Sequence, residues 1–214
     1  MENKGFYDQK YFNWQKKVGE FGGIANQFKF KNYINKNDNI IDFGCGGGFL
    51  LKKIEAHEKL GIEINEHARR LARKNGIKVV SSIQEVENEW ADVIISNHAL
   101  EHVHNPLETL KELSSKLKKN GKIVFVVPQE RKGKFTDNDK NNHLYTWTPL
   151  SFGNLFKAAG FKIIKAQVIY HLWPPYYYQI QKIFGWNIFH LTCKIYNFFI
   201  RKAMQVRVVA EKYD

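Results

Sequence analysis

The sequence predicts an α/β fold: one mostly parallel sheet with helices on both faces. Three observations carry that reading. The run Ile40-Ile41-Asp42-Phe43-Gly44-Cys45-Gly46-Gly47-Gly48-Phe49-Leu50-Leu51 has the form of a buried strand, a tight glycine turn and the start of a helix. A second apolar run, Leu60-Gly61-Ile62-Glu63-Ile64, carries an acid at its end, about 21 residues after Asp42. That spacing suits a second strand lying beside the first with its end level. Downstream, short β-type runs alternate with helical ones, as in a sheet of crossover units.

The elements follow in order. Phe6–Val18 is rich in aromatics, including Tyr11, and reads as a helix face packed on the core or as a lid over a site. Gly19, Gly22 and Gly23 are expected to break the chain, and Ile24–Ile34 to form an amphipathic helix. Asn37-Asp38-Asn39 is a turn into strand one, Ile40–Phe43. A helix over Phe49–Glu55 leads to strand two, about Lys59–Ile64. Helix Glu66–Asn75 stops at Asn75-Gly76. Strands Ile77–Val80 and Ala91–Ser96 come next. Pro106–Lys119 is a helix with Leu107, Leu110, Leu113 and Leu117 on one face, halted by Asn120-Gly121. Strand five, Lys122–Val127, closes at Pro128. Arg131–Asn142 is a polar loop. Helix Leu150–Ala159 ends at Gly160, strand six is Phe161–Tyr170 and the last strand is Met204–Glu211. Between those two strands lies Trp173–Lys202, long and crowded with aromatics, which polar residues interrupt too often for a membrane span.

At 214 residues the chain is expected to be one domain, 1–214, with residues 1–36 as N-terminal lid and helices and 173–203 as a helical insertion. The net charge of +12 suits either solubility or anionic partners. Cys45 and Cys193 make no disulfide framework and no apolar signal segment opens the sequence, so a cytoplasmic location is expected. There are no repeats and no low-complexity segments.

The glycine turn narrows the ligand. A dinucleotide turn wants a small residue where Phe49 stands, and a phosphate-cradling loop wants a Gly-Lys-Ser/Thr that does not follow. What remains is D-x-G-x-G-x-G: Asp42, Gly44, Gly46 and Gly48. An acid at Asp42 repels pyrophosphate and suits a cationic end, such as an amino acid ammonium.

This stretch resembles motif I of the class I S-adenosylmethionine (SAM)-dependent methyltransferases. Asn97-His98-Ala99-Leu100-Glu101-His102-Val103-His104-Asn105-Pro106 resembles the segment after strand four in the small-molecule members, with its Leu-Glu-His-Val and Pro. The resemblance covers about Asn39–Gly160 with good motifs. It implies a Rossmann-like seven-stranded sheet of order 3-2-1-4-5-7-6 with an antiparallel last strand, and SAM as cofactor. It implies cofactor-binding roles for Asp42, Gly44, Cys45, Gly46, Gly48, Glu63, Ile64, Asn97 and His98, with Glu63 accepting the ribose hydroxyls. Ser82 stands where many relatives carry an Asp, so Ser82 and Ile83 take the adenine by analogy only. Glu130, Tyr145 and Tyr11 are expected at the substrate, and His98 or His143 as the base. His98, His102, His104 and Glu101 can also be read as metal ligands, but no partner set completes a site and no metal is expected.

The expected reaction is methyl transfer to an oxygen or nitrogen of a small, anionic or glycosyl metabolite, for instance a surface-polysaccharide precursor. Two other classes stay open. One is an RNA methyltransferase, invited by the charge but without a nucleic-acid motif, so nucleic acid is not the expected partner. The other is a non-catalytic, membrane-associated SAM-binding accessory protein built on the aromatic insertion. For that insertion, a substrate cap, a homodimer contact and a peripheral membrane contact are the readings.

Overall fold

The computed structural model describes residues 18–130, 135–137, 139, 141–200 and 204–213. Helix α1 covers residues 18–25. The strands are β1 (Asn39–Phe43), β2 (Glu58–Ile62), β3 (Lys78–Val80), β4 (Ala91–Asn97), β5 (Leu117–Gln129), β6 (Phe161–Tyr170) and β7 (Met204–Lys212). The helices after α1 are α2 (Glu66–Lys74), α3 (Pro106–Lys116), α4 (Pro149–Ala158) and α5 (Tyr177–Ile200).

The strands form one seven-stranded sheet of order β3-β2-β1-β4-β5-β7-β6. The first five are parallel, and β7 runs antiparallel to both β5 and β6. Apolar runs explain the middle of the sheet. Ile40, Ile41, Ile94, Ile95 and Ile123–Val126 are fully buried, as strands covered on both faces must be. One core layer joins Ile41, Ile94, Phe125, Leu110, Leu113, Phe152 and Phe156. The opposite layer joins Ile40, Ile95, Val124, Leu51 and Phe30.

Local chemistry sets the ends of these elements. Asn65 caps α2, its Oδ1 accepting from the Ala68 N–H at 3.1 Å, and Gly76 leaves the helix at φ 79°. Thr148 caps α4 through the Ser151 N–H, with Pro149 at the first turn.

Four expectations are corrected. Gly19, Gly22 and Gly23 do not break the chain but lie inside α1. A Cβ on Gly23 would stand 2.5 Å from the Phe49 carbonyl oxygen, and one on Gly19 2.6 Å from the Phe49 ring. These glycines therefore let α1 lie directly on the glycine turn. Ile24–Ile34 is not one helix. It passes from the end of α1 into two 3₁₀ turns, Gln27–Lys29 and Lys31–Tyr33. Phe49–Glu55 yields only the 3₁₀ turn Leu51–Lys53, since three adjoining glycines withhold helix propensity where that helix would start. Finally, α3 ends at Lys116 and β5 begins at Leu117, three residues before the Asn120-Gly121 stop. Tyr11 lies outside the described residues, as do 131–134 of the polar loop and 201–203 of the insertion.

The seating of α1 is testable. Gly23→Ala is expected to cost about 1–3 kcal/mol through overpacking against a backbone carbonyl. Thermal unfolding reads it, and an unchanged midpoint would mean that α1 does not rest on Phe49.

Candidate functional site

A cavity of about 890 Å³ opens at the carboxyl ends of β1, β2 and β4, where the strand order reverses and open α/β sheets bind ligands. Its walls come from α1, the glycine turn, the segment after β4, the His171–Trp173 segment and Gln205 of β7. The volume lies near the upper end for small-molecule sites, enough for a cofactor and an acceptor together.

One end is acidic. Asp42 is almost fully buried at the end of β1, and burial, then the nearby Glu63, hold its carboxyl well above the usual range. Glu63, just past β2, turns back over the glycine loop. Its Oε2 accepts the Gly46 N–H at 2.9 Å and its Oε1 accepts the Asn65 N–H at 2.8 Å. Burial still raises its pKa against those two donors. Each carboxylate oxygen keeps a further acceptor position. Arg69 lies close enough to Glu63 to offset part of that shift, but two acids at one end of a cavity still favour a cationic ligand. The glycines beside them divide by role. Gly46, at φ 54°, would carry a Cβ into open space, whereas at Gly44 a Cβ would strike Ala99. Gly48 is not a wall residue, because its φ of 72° and the nearby Ile77 and Ala72 make it a packing position. Cys45 lines the cavity with its thiol held against Gly61 and, by burial, its pKa raised. Ile64 lines the mouth and is largely exposed.

Ser82 and Ile83 are not among the lining residues. Ser82 bonds Glu85 in the cap of the next 3₁₀ turn, and Ile83 is buried in the core beside Ile41 and Ile62. The structure thus places this pair outside the cavity lining.

The other end is basic and was illegible in the sequence. Lys29, between Phe28 and Phe30, is 2% exposed and lines the cavity. Its Nζ donates to Asn97 Oδ1 at 2.8 Å, and its carbonyl accepts from Arg207 Nη1 at 2.9 Å. Burial draws its pKa down to about 7, Glu101 pulling against that shift and Arg207 adding to it. Next to Asn97, His98 sits at φ 60°, its N–H bonded to the Val126 carbonyl at 2.8 Å. Its Nε2 is 3.2 Å from Gln205 Oε1. An amide oxygen only accepts, so Nε2 carries the proton, and Nδ1 faces Glu101 Oε1 at 3.9 Å. Burial, then Lys29, draw its pKa down to about 3. His98 is thus neutral, and its lone pair turns toward Glu101.

Behind this wall lies a polar cluster. Glu101 is wholly buried, and among the described residues no other side chain hydrogen-bonds its carboxyl oxygens. Burial pushes it up to about 8, against the pull of Lys29, so the carboxyl is largely neutral at pH 7. Its Oε1 lies 4.0 Å from His102 Nε2 and 3.9 Å from His143 Nε2. The ligand atoms of Glu101, His102 and His143 all lie within 4.8 Å of one another, a donor set that a divalent cation accepts. Spacing alone missed this trio, because His143 lies about 40 residues further along the chain, after β5. His143 and Glu130 do not line the cavity and instead pair with each other at 3.1 Å. Tyr145 is likewise absent from the lining, its hydroxyl bonding the His104 carbonyl at 2.9 Å. Thus Glu130, Tyr145 and His143 do not line this cavity, while Lys29, Gln205 and Trp173 do.

Comparison with known proteins agrees with this architecture. A family model described as a methyltransferase domain matches residues 18–166. The ubiquinone biosynthesis O-methyltransferase of Rickettsia canadensis is 27% identical over 196 residues, covering 81% of this chain and 80% of that protein. Among solved structures, a SAM-dependent methyltransferase from Archaeoglobus fulgidus aligns over 96% of this chain and all of its own (100%), with a TM-score of 0.68 and 19% identity. Phosphoethanolamine N-methyltransferase 2 of Haemonchus contortus, solved with SAM, covers 91% of this chain and 57% of its own at TM-score 0.61 and 13% identity. At such identities the structural likeness concerns the fold. The chain belongs to the methyltransferase-domain family and is a class I methyltransferase whose cofactor is S-adenosylmethionine.

Proposed function

We propose that this enzyme methylates a hydroxyl oxygen of a small molecule, and that the hydroxyl is an acidic one, phenolic or enolic. The observation that carries this is the buried Lys29 amine, titrating near 7, in the same cavity as the Asp42–Glu63 acids. When bound, SAM supplies a methyl group already activated on a sulfonium. Asp42 holds a cationic group at the acidic end, and Glu63 accepts hydroxyls there. Ile64, Cys45 and the open side of Gly46 line the space between. Asn97 fixes the Lys29 amine, and His98, locked by Gln205, shapes the wall beside it.

Neutral Lys29 takes the acceptor's proton and becomes the ammonium, and the oxygen so freed takes the methyl. A phenol titrates near 10, within about three units of Lys29, whereas a sugar hydroxyl lies far beyond it. Lys29 therefore favours a phenol over the glycosyl acceptor named among the expectations. The named activity of the Rickettsia relative, O-methylation, points the same way. Lys29 also replaces the expected histidine bases, since His98 is too weak a base and His143 stands off the cavity. Residues 18–25 act as the lid, with α5 bracing them.

Two measurements test this. S-adenosylhomocysteine at about a hundred times its dissociation constant should add roughly 2.7 kcal/mol of stability, with NADH giving none. Labelled methyl from SAM should pass to a catechol. No thermal shift would sink the cofactor pose, whereas a shift without labelled catechol or simple phenol would sink the acceptor class alone.

A further inference from the structure

We infer that the outer face of α5 docks the enzyme onto an anionic lipid bilayer, lying in the interface rather than crossing it. The helix is apolar on both sides. Its inner side buries Phe189 and Cys193 against Phe21 and Ala25 of α1, and Phe21 packs edge-on to Trp173, Tyr177 and Phe189 at 4.8–5.2 Å. Its outer side is not covered. Ile188, Leu191, Ile195 and Phe199 repeat at helical spacing after the kink at Gly185, and they are 43%, 52%, 49% and 75% exposed. Ahead of the kink Ile183 and Phe184 are exposed as well, at 70% and 60%. A helix apolar all round is stable only where its second face also leaves water, and contiguous exposed stripes of this size mark interaction surfaces.

Charge selects the occupant. No Asp or Glu occurs between Asp139 and Glu211, while Lys162, Lys165, Lys182, Lys194, Arg201 and Lys202 fall in that stretch. Lys182 and Lys194 sit on α5 itself and are exposed. An aromatic and aliphatic face bordered by lysines is the composition of an interfacial helix, and each basic residue near an anionic leaflet adds attraction. A second copy would instead bring together two chains of net charge +12, which repel. Among the described residues no helix is long and apolar enough to cross a membrane, so the contact is peripheral.

Sedimentation of the full chain with vesicles tests this. Vesicles of phosphatidylglycerol and phosphatidylcholine should carry the protein down at low salt, and phosphatidylcholine alone should carry at least tenfold less. The triple variant Phe184→Asn, Leu191→Asn, Ile195→Asn keeps every lysine and touches only exposed positions. It should lose at least tenfold in vesicle binding while keeping its S-adenosylhomocysteine thermal shift, which reports an intact fold. Failure of the native chain to sediment with anionic vesicles would overturn the proposal, as would a triple variant that binds as well as the native chain. So would light scattering that shows a dimer dissolved by the same variant, since a second copy would then cover the face.

Discussion

Replacing Glu63 with alanine is expected to weaken S-adenosylhomocysteine binding by about 10²-fold or more. The carboxylate already accepts the Gly46 and Asn65 amides and keeps two acceptor positions for ligand hydroxyls. A hydrogen bond to a charged group is worth about 1.5–3 kcal/mol, and two of them correspond to 10² or more in affinity. Titration calorimetry reads the loss. Glu63→Gln separates the contributions, because it retains an acceptor for one amide while removing the charge. The pH dependence has a definite sign. Burial raises Asp42 and Glu63 above their ordinary values, so each binds a proton more readily in the free enzyme than in water. A cationic ligand favours the ionised acids. Its affinity should therefore rise with pH through the acid range, with protons released on binding. Affinity flat with pH would mean that the acids do not face the ligand's cation.

Lys29→Met is expected to lower turnover by about 10²–10⁴-fold, the span general base catalysis commonly supplies, while leaving cofactor affinity near that of the native enzyme. The native rate should climb as pH passes about 7, because the neutral amine is the working form and its fraction grows there. Lys29→Arg keeps a cation but cannot give up its proton near neutrality, and should be as inactive as the methionine variant. Stability supplies a second readout. The folded pKa of Lys29 lies below its unfolded value of 10.5, so the cost of burying its charge is fully present below about pH 7 and fades between 7 and 10.5. The methionine variant should therefore unfold at a higher temperature than the native chain at pH 6, with the gap shrinking toward pH 10. A methionine variant with an unaltered rate–pH profile would exclude Lys29 as the base.

Much of the fold was legible because its signals are local. Runs such as Ile40-Ile41 and Ile123–Val127 state a doubly covered strand by composition alone, and six of the seven strands fell within a few residues of their observed limits. The start of β5 at Leu117 did not, since the turn at Asn120-Gly121 reads as a helix stop. The glycines of α1 were misread for a related reason. Glycine lowers helix propensity, and only the tertiary approach of Phe49 shows what those positions are for. The acidic end of the site was legible, because Asp42 and Glu63 close adjacent strands. Its basic end was not. Lys29 meets Asn97 and Arg207, far along the chain, and a lysine between two aromatics carries no signal that it is buried. Glu101 and His143 are likewise far apart in sequence and meet only in the fold.

The placement of β7 between β5 and β6 has a consequence for how the protein is made. During synthesis β5 and β6 both leave the ribosome before the strand that joins them. Each must wait with an open edge, a template for mispairing with other chains. Gln205, the residue that locks His98, arrives on that same strand. The chain thus cannot finish its sheet first and its pocket later: one late strand completes both, and nascent chains stalled short of residue 204 lack the last piece of each.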